Sequence, residues 1–223
     1  MILNRFTPLL LILSLSSCSS TAPPSVTSKK LITEAIDTLY QFSLHENLKH
    51  YKKFLEGAAG IVIFPEVIKA GWVAGGEAGN GVLLARYASG TWSDPSFHTL
   101  AAASIGFQFG VQNTAVVLVF KTPEALRSVI KHQGKIGADI GATMVFYGIG
   151  AEAATTSNLG ADIIGFAVSN VGAYIRGSIE GAVLVTRRDL NEAVYGAGAT
   201  PEGIIAGKWK TGIAQPLKDA LRR

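Results

Sequence analysis

The chain has 223 residues with 25 Gly, 8 Pro and a single Cys; 48% of residues are hydrophobic, 16% charged, and the formal net charge is +4. That length fits one globular domain with a short appendage, and the apolar fraction excludes disorder over most of it. One cysteine excludes an internal disulfide or a cysteine-based zinc cluster, and so dilute a positive charge points away from nucleic acid.

In chain order, Met1 to Ser17 carries one charge, Arg5, then the apolar run Phe6-Thr-Pro-Leu-Leu-Leu-Ile-Leu-Ser-Leu15 and small residues. A basic start, a short apolar stretch and small residues before a cut form a secretory signal peptide; a spanning helix needs about 20 residues. The only cysteine ends the segment, in Leu15-Ser-Ser-Cys18, which resembles the bacterial lipobox. The resemblance implies cleavage before Cys18 and acylation of its sulfur and its new amino group. It also implies, through Ser19 in the second mature position, an outer-membrane destination. Residues 18–28 then read as an acylated tether, since Ser19-Ser-Thr-Ala-Pro-Pro-Ser-Val-Thr-Ser28 is too small and polar to pack. Residues 29–223 form a single domain.

Lys29 to Glu56 lacks Gly and Pro, and Leu31, Ile32, Ala35, Ile36, Leu39 and Phe42 recur at helical spacing. Thr27 or Ser28 caps the start and Gly57 ends it, with Leu44, Leu48, Tyr51 and Leu55 continuing the stripe on a second or bent segment. Such a stripe most often packs on the protein's own core; lying on a membrane is the minority alternative.

Beyond Ala58 the pattern changes. Gly60-Ile-Val-Ile-Phe64 before Pro65 is a strand followed by a breaker. Ile105 to Val111 and Ala173 to Val185 alternate with period two, as strands with distinct faces do. Ala115 to Phe120 is a continuous apolar run, a strand buried on both sides, and Asn113 suggests a hairpin. Thr122-Pro-Glu-Ala-Leu-Arg-Ser-Val-Ile130 carries helix-start signals, and 188–194 and 216–223 read as short helices. Glycine inside strands signals bulges, bends or close approach. The expected fold is α+β: a twisted, mostly antiparallel, partly rolled glycine-rich sheet with an N-terminal amphipathic helix and flanking helices on one side. The helices and the lipobox argue against an outer-membrane barrel.

Catalytic motifs fail on inspection. Ser104 in Ala102-Ala-Ser-Ile-Gly106 is followed by strand alternation, not the strand-to-helix turn of a nucleophile elbow. Gly148-Ile-Gly-Ala-Glu-Ala153 lacks an acidic residue some 20 positions on. His45, His50, His98 and His132 offer no metal pair, and Asp139 and Asp162 stand in turn-like contexts. The chain reads as non-enzymatic, without cofactor or metal.

Three stretches together resemble one family. Gly60-Ile-Val-Ile-Phe-Pro-Glu-Val-Ile-Lys-Ala-Gly-Trp-Val-Ala-Gly-Gly-Glu-Ala-Gly-Asn-Gly-Val82 looks like the opening of the SYLF domain. Ser104-Ile-Gly-Phe-Gln-Phe-Gly-Val-Gln112 with the strand after it is similar to the central segment. Gly160-Ala-Asp-Ile163, Gly172-Ala-Tyr-Ile-Arg-Gly-Ser-Ile-Glu-Gly181 and Asn191-Glu-Ala-Val-Tyr-Gly196 resemble the closing part. The resemblance implies membrane-lipid binding with help from an amphipathic N-terminal helix, actin binding in some members, and no enzymatic activity. On it rest the expected partners: membrane phospholipid, or an envelope protein, and no nucleic acid. The candidate lipid contacts are Lys29, Lys30, Ile32, Ile36, Lys49, Lys52, Lys53 and Lys69, with a second basic surface at 187–223, where seven basic residues face four acidic ones. The expected location is a bacterial envelope, lipid-anchored, outer membrane.

Mass spectrometry of the purified protein's N-terminus is expected to find the chain beginning at Cys18 and heavier by its acyl groups; an unmodified thiol there, or a retained Met1, overturns the envelope assignment.

Overall fold

The computed structural model describes residues 22–46, 48–49, 51–71, 74–105, 111–131, 144–148, 162–169 and 182–222. The described helices are α1 (Pro24–Leu44), α2 (Tyr51–Leu55), α3 (Pro123–Lys131), α4 (Arg188–Tyr195), α5 (Pro201–Ile205) and α6 (Gln215–Ala220). The described strands are β1 (Gly60–Gly71), β2 (Ala74–Ala85), β3 (Ser96–Ile105), β4 (Val111–Phe120), β5 (Met144–Gly148), β6 (Ile163–Ser169) and β7 (Val183–Thr186). They form one sheet in the order β5-β6-β4-β1-β2-β3-β7. Every pair is antiparallel except β5 with β6, which is parallel. The fold is therefore α+β with a mostly antiparallel sheet, as the alternating stretches imply.

Side chains alternate across the pleat, so each strand feeds two cores. Ile61, Ile63, Val82, Leu84, Phe97, Val117, Val119 and Phe166 face one side, where Leu31, Ile32, Ala35, Leu39 and Phe42 of α1 meet Tyr51, Leu190 and Leu217. Val62, Phe64, Leu83, Leu100, Val116, Leu118 and Phe120 face the other, with Ala125, Leu126, Val129 and Ile130 of α3. Helices thus lie on both faces. The expectation of a single helical side is corrected, because a strand such as Val116–Phe120, wholly buried, needs cover above and below.

Several local expectations are corrected as well. α1 begins at Pro24, inside the stretch read as tether, with Pro at its first turn and no side-chain cap. Proline lacks only an N–H that the first turn leaves unpaired anyway, so it starts a helix as readily as a hydroxyl cap. α1 stops at Leu44, whose side chain is exposed, while Leu48, Tyr51 and Leu55 are buried after the break. Gly57 ends the helical region, as expected, and does so in the left-handed conformation, at φ +71. Asn113 lies within β4, paired with Ile68, and is not a hairpin turn. Pro65 does not stop β1: the strand runs through it with register shifts between Phe64 and Val67 on one side and Ile63 and Ile68 on the other. A bulge is where a strand tolerates a residue that cannot donate. Of the alternating stretches, 106–110 and 170–181 lie outside the described residues; Val111 and Val183–Thr186 fall in β4 and β7.

The bulge explains two glycines. A Cβ on Gly81 would sit 2.4 Å from the Ile63 carbonyl oxygen and the Phe64 ring, and one on Gly79 would sit 2.3 Å from the Glu66 carbonyl oxygen. The C-terminal half is fastened by polar side chains. Buried Asn191 of α4 accepts from the Phe97 backbone N–H (2.9 Å) and donates to the Phe97 carbonyl (3.2 Å), as a neighbouring strand would. The Tyr195 hydroxyl donates to the Pro95 carbonyl (2.6 Å), and Lys218 Nζ lies 2.9 Å from Asp94 Oδ1. His98 in β3 is buried, with its Nε2 2.8 Å from Ser96 Oγ, and burial pushes its imidazole down to about 4.

Two outcomes follow. Gly81→Val forces the β1 backbone away and is expected to cost about 3 kcal/mol or more, the upper range for overpacking. Gly76→Ala, whose Cβ meets nothing nearer than 3.8 Å, is expected to stay within about 0.5 kcal/mol; urea unfolding of both variants checks this. For His98, the unfolded chain takes up a proton below its ordinary 6.5 while the folded chain resists until about 4. Stability should therefore fall as pH drops through that window, by on the order of 3 kcal/mol in all. His98→Gln is expected to flatten the unfolding midpoint between those pH values.

Candidate interaction surface

α1 has two faces with different fates. Leu31, Ile32, Ala35, Leu39 and Phe42 are buried against the sheet, and Ile36 is packed at the margin of that core. Two of the expected lipid contacts, Ile32 and Ile36, are thus turned toward the domain's interior. The outer face presents Lys29, Lys30, Thr33, Asp37, Tyr40, Gln41 and Leu44. Tyr40 and Leu44, one turn apart, are 61% and 63% exposed, an apolar pair near the C-terminal end of a face that otherwise carries polar residues and, near its start, Val26. Lys30 pairs with Glu34 one turn on (3.2 Å).

α2 is short and is held from both ends. Tyr51 slides under α1, donating its hydroxyl to the Leu39 carbonyl (3.2 Å) and meeting Phe42 and Phe166 edge-on. Burial pushes the Tyr51 phenol up to about 12. At the other end, Lys121 donates to the Phe54 and Glu56 carbonyls, and Arg86 donates to that of Leu55. Cations on the last carbonyls of a helix oppose its negative end. Lys52 and Lys53 point outward, and Lys49 pairs with Glu46 (3.2 Å).

The structure thus separates the candidate lysines into two groups. Lys29 and Lys30 stand near the start of α1; Lys49, Lys52 and Lys53 stand beside the part of α1 around Leu39, ten residues on, or roughly 15 Å along the axis. Lys69 belongs to neither. It lies in β1 directly opposite Glu77 of β2, its Nζ 2.8 Å from Oε1, with side chains only 13% and 5% exposed. Such a pair fixes register more than it adds stability, because desolvation offsets most of the attraction. Cys18 lies outside the described residues.

Between α1 and the bulge of β1 runs a groove of about 440 Å³, walled by Glu34, Asp37 and His45 on one side and Pro65, Glu66 and Asn113 on the other. The bulge projects Glu66, which accepts from Asn113 Nδ2. Within the second basic stretch, Arg187 forks onto Asp189 and Lys218 is committed to Asp94, so part of that charge is already neutralised. Arg86, Asn191 and Asp94 were not singled out by sequence reasoning; their partners lie 31, 94 and 124 residues away. Among the described residues no cluster of His, Cys, Asp or Glu could hold a metal, and no helix is long and apolar enough to cross a membrane.

Comparison with known proteins fits this arrangement to a family. Residues 101–223 match the family model Ysc84, described as Las17-binding protein actin regulator. Protein YSC84 of Saccharomyces cerevisiae is 34% identical over 171 residues, covering 76% of this chain and 36% of that protein. LAS seventeen-binding protein 3 of the same yeast is 33% identical over 156 residues, 69% of this chain and 34% of the relative. SH3 domain-containing YSC84-like protein 1 of Xenopus laevis is 28% identical over 140 residues, 62% of this chain and 41% of the relative. The aligned part of the chain spans only about a third to two-fifths of these relatives. With more than half the chain matching its model, and with the three family-like stretches in order along the sequence, this chain belongs to the Ysc84, or SYLF-domain, family.

Proposed function

We propose that the chain is a non-enzymatic docking domain that works while tethered to a bilayer through acyl chains on Cys18. The observation that carries the proposal is the position of α1. It starts at Pro24, six residues after the lipobox cysteine, and six extended residues reach at most about 20 Å. Anchored this way, the domain is confined next to the headgroups, with Lys29 and Lys30 in the second turn of its leading helix. Several acyl chains hold a protein far more firmly than one. Lysines near an anionic surface add about 1 kcal/mol each. Contact with phospholipid is then electrostatic, through Lys29, Lys49, Lys52 and Lys53, because the apolar stripe of α1 is engaged by the sheet.

A second reading, a protein partner, is favoured by the exposed Tyr40 and Leu44 on the outer face of α1 and by relatives named for binding Las17. Tyrosine is among the residue types enriched in the few side chains that carry most of the energy of protein interfaces.

Flotation with vesicles separates the contributions. The acylated chain is expected to float with neutral and anionic vesicles alike, and Cys18→Ser to float only with anionic ones and to be released by about 0.5 M salt, where the Debye length falls to a few ångströms. Combining Cys18→Ser with Lys29→Gln, Lys52→Gln and Lys53→Gln should abolish flotation. Unchanged flotation of that combined variant would remove the lysines from the proposal, and flotation of Cys18→Ser with neutral vesicles would remove the anchor.

A further inference from the structure

On the far side of α2 lies a cavity of about 250 Å³ between that helix, the β2–β3 connection and the end of α6. Its walls are of two kinds. Tyr51, Leu55, Trp92 and Leu221 give apolar surface, while Lys52, Arg86 and Arg222 bring three positive charges against the single carboxylate of Glu56.

Arg86 is the centre of the arrangement, and it is held rigidly. Its backbone pairs with Trp92 in an antiparallel bridge and donates to the Ala59 carbonyl (2.8 Å). Its guanidinium lies 5.6 Å from the centre of the Trp92 ring, donates through Nε to the Gly90 carbonyl (3.2 Å), and donates through Nη1 to the Leu55 carbonyl. A guanidinium carries five N–H donors in a fixed plane. Two are used, and Nη2 makes no hydrogen bond among the described residues. Capping α2 accounts for one donor and closing the turn for another. Neither accounts for the remaining edge, nor for the convergence of two more cations. Lys52 has no ion-pair partner among the described residues, and Arg222 has only a 3.5 Å contact with Asp219.

A planar fork already immobilised on a ring and two carbonyls suits an oxyanion, because little side-chain freedom remains to be lost on binding. The apolar walls call for more than a bare ion. The volume lies below the range of about 300–1,000 Å³ that takes drug-sized ligands, so the body attached to the anion is compact. We propose that this cavity is a binding site for a small organic oxyanion, a carboxylate or phosphate carried on a compact apolar body. The headgroup bonds to Arg86 Nη2 and is flanked by Lys52 and Arg222, and the body rests on Trp92, Leu55 and Leu221. The site shares only Lys52 with the membrane reading above, and needs neither Cys18 nor the lysines of α1.

The test is a ¹⁵N NMR titration of the full chain with benzoate and phenyl phosphate, alongside the neutral analogue benzyl alcohol and inorganic phosphate. Saturable shifts at Arg86, the Trp92 indole and Leu221 are expected with one or both aryl anions, the tighter of the two identifying the headgroup. Benzyl alcohol and inorganic phosphate should bind at least tenfold more weakly. Arg86→Gln also uncaps α2, so the decisive variant is Lys52→Gln with Arg222→Gln, both exposed side chains, which should weaken anion binding tenfold or more while leaving the unfolding midpoint unchanged. Equal response to the neutral alcohol, equal affinity for bare phosphate, shifts that do not saturate, or indifference to the double substitution would each overturn the proposal.

Discussion

Leu31, Ile32, Leu39 and Phe42 of α1 cover Ile61, Ile63, Val82 and Leu84 of the sheet, and all eight are almost completely buried. At about 1.5–3 kcal/mol for each large side chain taken out of water, the helix side of this contact alone contributes roughly 6–12 kcal/mol before ordering costs. A bilayer would return the helix's share if α1 peeled away, but not that of the sheet residues left facing water. The exposed lysines, at about 1 kcal/mol apiece beside an anionic surface, do not cover the deficit. The helix therefore stays on the sheet, and its polar side is what it leaves for any membrane contact.

The same constraint shapes the interaction surface. Because α1 is pinned along its length, Tyr40 and Leu44 are displayed at fixed positions on its outer face, while Glu34, Asp37 and Gln41 line the groove that Glu66 of the β1 bulge closes on the other side. The bulge in turn depends on Gly79 and Gly81, whose missing Cβ atoms leave room for the bulged β1 backbone against β2. The buried Lys69–Glu77 pair a few residues further along the same two strands opposes a slip in their register, since a one-residue shift would separate the charges and reverse every side chain.

At the other end of the sheet the linkage is polar. Asn191, Tyr195 and Lys218 reach back to Phe97, Pro95 and Asp94, so the C-terminal helices are bonded to the start of β3 and its approach. Removing one partner from such a buried pair leaves a desolvated group unsatisfied, which costs more than the bond contributes. These contacts also bring Arg222 to the mouth of the cavity that holds Arg86, joining residues far apart in the chain at one site.

Local order was legible wherever neighbouring residues decide it. The stripe of α1, the proline-led start of α3, the α4 segment, the apolar run at 115–120, buried from Val116 on, and the glycine stop at Gly57 follow from spacing and from backbone sterics, which act over a few residues. Pro65 and Asn113 misled because a breaker or a turn residue is overridden when strands on both sides supply the ladder, and that supply comes from β2 and β4. Lys69 was picked as a lipid contact because spacing along the chain does not record that β1 and β2 pair it with Glu77. Amphipathicity by itself settled that α1 has an apolar face. Whether that face meets a membrane or a sheet was decided only by the fold, because burial depends on which surfaces the chain brings together and no spacing along one helix records them.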